Sequence, residues 1–147
     1  MLQVSDTATT DTITVTVTVS DANDNTPVFD DDDSDGDTST AAASVAENSQ
    51  TVGTYDATDG DAGASLTYSI INANANAGSV DHDLFSINGQ TGALTFTNAP
   101  NFEAPGCGAN NNANTCIVML QVSDTGTTDT ITVTVTCLLY TSPSPRD

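Results

Sequence analysis

The chain carries a near-perfect internal repeat. Residues 1–18 read MLQVSDTATTDTITVTVT and residues 119–136 read MLQVSDTGTTDTITVTVT, so the two copies differ only at Ala8 and Gly126. The second copy starts 118 positions after the first, since 119 minus 1 is 118. That spacing has the size of a whole domain and exceeds the repeats of about 20 to 50 residues that build solenoids and propellers. The sequence therefore predicts a tandem array of domains, in which the chain starts part-way through one domain.

The repeated segment alternates polar and apolar residues. Residues 12–19 place Thr at every second position with Val or Ile between, a period of two that puts apolar side chains on one face of a strand. We expect a half-buried strand there. Similar short runs are separated by Gly, Asn, Asp and Pro clusters, and they lie at 44–46, 51–57, 65–71, 84–87, 93–97, 116–124 and 131–136. About seven strands per repeat, with no amphipathic helix, predict an all-β fold: an antiparallel seven-stranded Greek-key β-sandwich of immunoglobulin-like size.

The charge of the chain is almost entirely of one sign. Twenty Asp and Glu residues face a single basic residue, Arg146, which gives a formal net charge of -19. Nucleic acid and anionic membranes need basic patches, so both are poor partners and no nucleic-acid binding is expected. Cations from solution are the expected counter-charges for carboxylates at this density. Because 37% of the residues are apolar and fall at strand-like spacing, we expect a folded chain.

The segment DANDNTPVF at residues 21–29 resembles the linker between consecutive cadherin repeats. Further cadherin markers follow in the order that the family uses: VAEN (45–48), ATDGDAG (57–63), LTYSI (66–70), FSINGQTGALT (85–95), NFEAPG (101–106) and LQVSD (120–124). The resemblance covers nearly all of residues 1–136, and the chain looks more like the cadherin-like repeats of large bacterial surface and secreted proteins than like animal cadherins. It implies a cadherin-type sandwich at an extracellular or cell-surface location, with calcium at the junctions between repeats.

The resemblance also divides the chain. Residues 1–20 are expected to be the last strands of a preceding repeat, 21–29 the calcium-binding linker, and 30–136 one cadherin repeat. Residues 137–147, CLLYTSPSPRD, depart from the first copy, which continues as VSDANDNTPVF. We interpret this tail as a sequencing or frame artefact, with a true C-terminal end as the alternative.

Calcium takes about six to eight oxygen ligands from carboxylates, Asn side chains and backbone carbonyls. By resemblance, one cage would combine a linker with loops at one pole of the following repeat, and its members would be Asn23, Asp24, the carbonyl of Asn25, Asp59, Asp61 and Asp124. Asp21 would mark the upstream edge of the same junction. A second junction at the opposite pole would use Glu47, Asn101 and Glu103, with Asn101 standing where the family usually has Asp. The alternative for any single motif is that Asp and Asn in turns only cap strands through hydrogen bonds to the backbone.

The acidic run at 30–37 has a competing interpretation. Asp31, Asp33, Asp35 and Gly36 match the start of a helix-flanked calcium loop, but Ala42 stands where that loop needs a bidentate Glu. We expect a solvated acidic loop.

Cys107 and Cys116 are separated by eight residues, and a secreted array permits disulfides. We expect a loop-closing disulfide, with free buried thiols as the alternative. The spacing does not fit a zinc site, and His82 is the only histidine. His82 is expected to be a loop residue ahead of a strand, with no catalytic role.

Taken together, these features predict a non-catalytic, calcium-binding module of an extracellular adhesion or surface protein, in which calcium rigidifies the junctions. Its partners would be neighbouring repeats of the same chain and homophilic or heterophilic surface proteins. The alternative is a spacer, or a polysaccharide-binding accessory module of a secreted enzyme or adhesin. Exposed aromatics would favour polysaccharide, but aromatic residues make up 5% of the chain, and Tyr55, Tyr68, Phe85 and Phe96 are expected in the core. No run approaches the roughly 18 to 20 apolar residues of a membrane helix, so no direct membrane insertion is expected.

Overall fold

The computed structural model describes residues 1–30, 40–72, 81–108 and 111–140. Most of the acidic run and the last seven residues of the tail lie outside these ranges. The strands are β1 (Leu2–Ser5), β2 (Thr10–Ile13), β3 (Val28–Phe29), β4 (Thr40–Ala46), β5 (Thr51–Thr54), β6 (Ala57–Thr58), β7 (Thr67–Ile71), β8 (Phe85–Ile87), β9 (Ala93–Phe96), β10 (Thr115–Ser123) and β11 (Thr128–Leu138). A single 3-10 turn at His82–Leu84 precedes β8.

Two sheets form a β-sandwich. One sheet has the order β4-β11-β10-β7, the other has the order β5-β9-β8, and the short pair β3-β6 lies beside them. The pairs are antiparallel except for β4, which runs parallel to β11 along one edge. The chain changes sheet after β4, again between β5 and β7, and again after β7 and β9, which is a Greek-key order of connections. The predicted all-β, seven-stranded, immunoglobulin-like sandwich is confirmed.

The core lies between the two sheets and is dominated by β10 and β11. Alternate residues of both strands are fully buried, among them Leu120 and Val133. They meet the facing sheet, where Phe85 and Phe96 stack with ring centroids 4.4 Å apart. All four aromatic residues that were expected in the core are buried. The period of two along β10 and β11 therefore carries most of the information that places the core.

A disulfide closes the loop between β9 and β10. It joins Cys107 to Cys116, whose Cα atoms lie 4.8 Å apart. The carboxylate of Asp81, which is 5% exposed, accepts hydrogen bonds from the backbone N–H groups of Gly108 at 2.7 Å and Ile117 at 2.8 Å. This buried carboxylate thus ties both ends of the disulfide loop to the 3-10 turn. No local sequence pattern indicates this role for Asp81, because its partners lie 27 and 36 residues away along the chain.

The two copies of the repeat form the same hairpin in different surroundings. β1 pairs with β2 so that Leu2 faces Ile13, and β10 pairs with β11 so that Leu120 faces Ile131, which is the same register 118 residues later. Every residue of β1 and β2 is exposed, and β2 ends at Ile13. The expected half-buried strand over residues 12–19 is therefore wrong for the first copy and right for the second. The difference is physical, since β11 lies between β10 and β4 whereas β2 pairs only with β1.

The duplicated hairpin offers a matched test of core packing. Leu120 is fully buried, whereas the equivalent Leu2 is 63% exposed. We expect Leu120→Ala to lower the free energy of unfolding by about 2 to 5 kcal/mol, because it leaves a cavity in a close-packed core. Leu2→Ala should change it by less than about 0.5 kcal/mol. Urea unfolding followed by circular dichroism measures both, and equal losses would contradict this account of the core.

Candidate metal centre

Three segments converge at one pole of the sandwich. They are the first part of the linker (residues 21–25), the loop that follows β6, and the tight turn at residues 124–127 between β10 and β11. The β3-β6 pair brings the first two together, because β3 is the end of the linker and β6 ends just before Asp59. An open cleft of about 290 Å³ lies between them. The sandwich therefore places linker and loop residues against the end of its longest hairpin.

Three carboxylates lie together in this pole. Asp59, Asp61 and Asp124 each offer an oxygen within 4.8 Å of the others. Asp61 is 8% exposed and Asp124 is 3% exposed. Burying like charges side by side is unfavourable unless a cation or hydrogen-bond donors offset the repulsion. One oxygen remains unmatched, since Oδ2 of Asp59 is buried without a hydrogen-bond partner. This orphaned oxygen among carboxylates fits a bound hard cation.

Asn23 closes the group from the linker side. Its side-chain amide lies 2.8 Å from Oδ2 of Asp61 and 2.8 Å from Oδ2 of Asp124. With the amide nitrogen turned toward them, Asn23 donates a hydrogen bond to each carboxylate. With the oxygen turned toward them, three oxygens face one another, an arrangement that needs a cation between them. Rotation of its amide thus decides whether Asn23 donates hydrogen bonds to the two carboxylates or adds a third oxygen beside them.

Asn25 fixes the linker to the loop. Its backbone N–H donates to Oδ2 of Asp61 at 3.0 Å, and its side-chain amide donates to Oδ1 of the same carboxylate. Its carbonyl accepts a hydrogen bond from Oγ1 of Thr127 at 3.1 Å. Gly60 makes this close approach sterically feasible, because a Cβ there would lie 2.9 Å from Cγ of Asn25. Hydrogen bonds to Asp61 and Thr127 therefore hold the linker in place without a bound ion.

Asp21 and Asp24 lie at the border of the group. Oδ2 of Asp21 accepts from the backbone N–H of Ala62 at 2.7 Å, which places Asp21 along the cleft. Oδ1 of Asp24 lies 3.4 Å from the side-chain nitrogen of Asn25. Neither carboxylate belongs to the three-carboxylate group. Of the residues predicted for this cage, Asn23, Asn25, Asp59, Asp61 and Asp124 are brought together.

The fold is shared with cadherin ectodomains of known structure. Mouse clustered PcdhgC3 EC1-3 is 26% identical, with a TM-score of 0.59 over 80% of this chain and 34% of that one. Mouse cadherin-23 EC22-24 is 22% identical (TM-score 0.60, 82% of this chain and 33% of that one), and the human desmocollin-1 ectodomain is 23% identical (TM-score 0.56, 80% and 21%). The chain contains a cadherin-like domain. It is an extracellular or cell-surface domain.

The cadherin-like chain spans about a third or less of each of these three relatives. No family model and no curated protein matches it. Within the described ranges, no helix has the length and apolar character needed to cross a lipid bilayer.

The opposite pole of the cadherin-like domain holds the other predicted residues. The carboxylate of Glu47 accepts from the backbone N–H groups of Tyr140 and Phe102, and these bonds, the first above all, lower the pKa of Glu47. Oδ1 of Asn101 accepts from the backbone N–H of Glu103 at 3.0 Å. Among the described residues, this pole brings no three acidic side chains together. It therefore has fewer converging carboxylates than the pole where the linker meets Asp59, Asp61 and Asp124, which we call the linker pole.

The start of the tail belongs to this pole. β11 continues through Cys137 to Leu138, two residues beyond the predicted end of the repeat at 136. The backbone N–H of Glu47 donates to the carbonyl of Leu138 at 2.8 Å. Burial raises the pKa of the Cys137 thiol, with Glu47 and Glu103 adding to the effect. A buried thiol of raised pKa is a packing residue rather than a nucleophile.

Three residues of the linker pole were not found from the sequence. Thr127 binds the Asn25 carbonyl, while Gly60 and Gly126 leave room for the linker asparagines. The only available signal was the position of Gly126 as the single difference between the two copies. Contacts between residues about 100 positions apart are not encoded in any local pattern, so Thr127 could not have been predicted.

The hydrogen bonds in the two hairpin turns predict how the carboxyl groups of Asp6 and Asp124 titrate at low pH. Asp6 and Asp124 each accept two backbone N–H groups, and the largest contribution, from Thr9 and Thr127 respectively, lowers each carboxyl pKa below its ordinary 3.8. A lowered folded-state pKa contributes stability above the unfolded value, and that stability is lost as pH falls through the folded value. In metal-free buffer we therefore expect both carboxyls to titrate below pH 3.8 in ¹³C carboxyl NMR. A midpoint at or above 3.8 for Asp124 would contradict the hydrogen-bonded turn.

Proposed function

We propose that this chain is a non-catalytic, calcium-binding cadherin-type repeat joined to the linker that precedes it, and that calcium holds the repeat against its neighbour. The observation that carries the proposal is the convergence of Asn23 with Asp59, Asp61 and Asp124, with one buried carboxylate oxygen left unpaired. The cadherin-like fold supports it, because the linker enters the sandwich at this pole and would join it there to a preceding repeat.

The donor set favours calcium over other metals. All candidate ligands are oxygens, from three carboxylates, the side chain of Asn23 and the carbonyl of Asn25. Hard divalent cations prefer oxygen, whereas zinc prefers His and Cys ligands. Calcium also accepts irregular cages of about six to eight oxygens, while magnesium demands a near-octahedral set. Bound calcium would supply positive charge that offsets the repulsion among the carboxylates.

Binding at this pole would couple the linker to the domain. Residues 1–20 would be the end of a preceding repeat, 21–29 the linker, 30–136 the repeat itself and 137–147 an atypical tail. Two of the candidate ligands, Asn23 and Asn25, come from the linker, and the carboxylates come from the sandwich. A cation shared between them therefore restricts the angle between consecutive repeats. Asp21 and Asp24 would face the preceding repeat, and Glu47, Asn101 and Glu103 would form half of the next junction.

The immediate partners would be the neighbouring repeats of the same chain. Such an array would serve either of two roles. It would bind surface proteins, homophilically or heterophilically, or it would act only as a spacer. Polysaccharide binding has less support, because the four aromatic residues noted above are buried. In the described ranges, Tyr140 is the aromatic residue that stands clearly exposed.

Calcium should stabilise the folded chain. We expect the midpoint of thermal unfolding to rise by several degrees between EDTA and millimolar Ca²⁺, because a ligand that binds only the folded state adds RT ln(1 + [L]/Kd) to its stability. Mg²⁺ at the same concentration should have little effect. Circular dichroism measures the midpoint.

The repeated hairpin supplies a matched control for this experiment. Asp124→Asn should weaken calcium binding about tenfold or more, and its turn should persist because an Asn oxygen can accept the same two backbone N–H groups. Asp6→Asn, at the equivalent position of the exposed hairpin, should leave the affinity unchanged. The proposed function fails if Ca²⁺ produces no shift, or if the two variants respond alike.

Rigidification can be tested separately from binding. With Ca²⁺, the backbone amides of Asn23 and Asn25 should show ¹⁵N order parameters near those of the sandwich, about 0.85, and they should fall toward about 0.6 in EDTA. Leu120 serves as the internal reference within the core. Calcium binding without any rise in the linker values would refute the stiffening role and leave the binding site intact.

A further inference from the structure

The one residue that differs between the two copies lies against the candidate cage. Gly126 occupies the turn beside Asp124, and a Cβ built on it would lie 2.9 Å from Nδ2 of Asn23 and 3.7 Å from Oδ1 of Asp124. The equivalent residue of the first copy is Ala8. The two copies therefore differ by one methyl group, at the turn position that meets the linker asparagine in the second copy.

The contact with Asn23 is closer than a real Cβ tolerates. Carbon and nitrogen atoms that are not bonded pack at about 3.5 Å, so Asn23 would have to move by roughly half an ångström. The movement is restricted because the opposite edge of the amide lies 2.8 Å from both Asp61 and Asp124. Turning the oxygen toward the carboxylates, as a cation requires, leaves Nδ2 facing Gly126. The swapped orientation would put the amide oxygen in the same place, so the methyl group displaces the whole amide of Asn23, including the orientation that a cation requires.

The turn itself accepts alanine. Ala8 and Gly126 both donate a backbone hydrogen bond of 2.8 Å to the aspartate two residues earlier. The φ of Gly126 lies outside the positive range that L side chains avoid. The two turns differ in that Thr125 has a φ of 86°. The steric conflict thus comes from the linker and not from the hairpin.

We propose that the residue two positions after the hairpin aspartate sets the calcium affinity of each junction: Gly126 lets Asn23 reach the cage, and Ala at this position, as in the first copy, holds it back. The inference rests on the proposed function of the linker pole. Gly126 is a positioning residue, since it acts through Asn23. Repeats with Gly and repeats with Ala would then give stiffer and looser junctions along one array.

The test compares three variants with the unsubstituted chain. We expect Gly126→Ala to weaken Ca²⁺ binding about tenfold, the lower end of what positioning residues around a metal contribute. Isothermal titration calorimetry at fixed ionic strength measures the affinity. Ala8→Gly is the matched control and should bind as the unsubstituted chain does. In an Asn23→Ala background, Gly126→Ala should cause no further loss, because the side chain through which it acts is gone.

A second measurement does not depend on affinity. In EDTA, the side-chain amide NMR signals of Asn23 should shift in Gly126→Ala while the core methyl signals stay in place. If the unsubstituted chain takes up no Ca²⁺, the proposed function and this inference both fail. If it binds, but Gly126→Ala binds equally tightly or weakens binding as much without Asn23 as with it, only this inference is overturned.

Discussion

The hairpin of β10 and β11 supports the other parts of the domain. It supplies the two central strands of the larger sheet and much of the core. Its turn carries Asp124, and Oδ2 of Asp129 accepts the backbone N–H of Phe29 at 3.1 Å, which attaches β3 and hence the exit of the linker. One local element therefore sets both the position of a candidate ligand and the path of the segment that must reach it.

At the linker pole the carboxylates of Asp59, Asp61 and Asp124 repel one another, and hydrogen bonds within the protein offset this repulsion only in part. Backbone N–H groups and asparagine amides satisfy most of the carboxylate oxygens, including both oxygens of Asp61. The sequence offers little positive charge to neutralise them, since a single Lys or Arg residue stands against 20 Asp and Glu residues. A pole built solely for stability would replace such a group with apolar residues. Retaining acidic side chains there is consistent with a site whose full stability depends on a cation from outside.

Local patterns predicted the fold well and the site in part. The period of two along β10 and β11 and the turn residues between runs located the strands of the sandwich. The run at 51–57 was expected as one strand, but it divides into β5 and β6, which belong to different sheets. The division could not be foreseen, because strand pairing depends on distant residues. For the same reason the motifs suggested which residues meet at the linker pole, whereas the roles of Thr127, Gly126 and Asp81 emerged only from tertiary contacts.

The duplicated hairpin has a consequence for folding. Its register is set locally, since the backbone hydrogen bond to the turn aspartate and the register of strand pairing are the same in the exposed and the buried copy. Near-identical segments in a tandem protein can exchange between neighbouring domains and trap the chain in misassembled states. A hairpin closes through its own turn on a timescale of about microseconds. Its two strands are then already hydrogen-bonded to each other before a strand from the distant copy can pair with them. Each copy would thereby be protected from the other while the polypeptide emerges during synthesis.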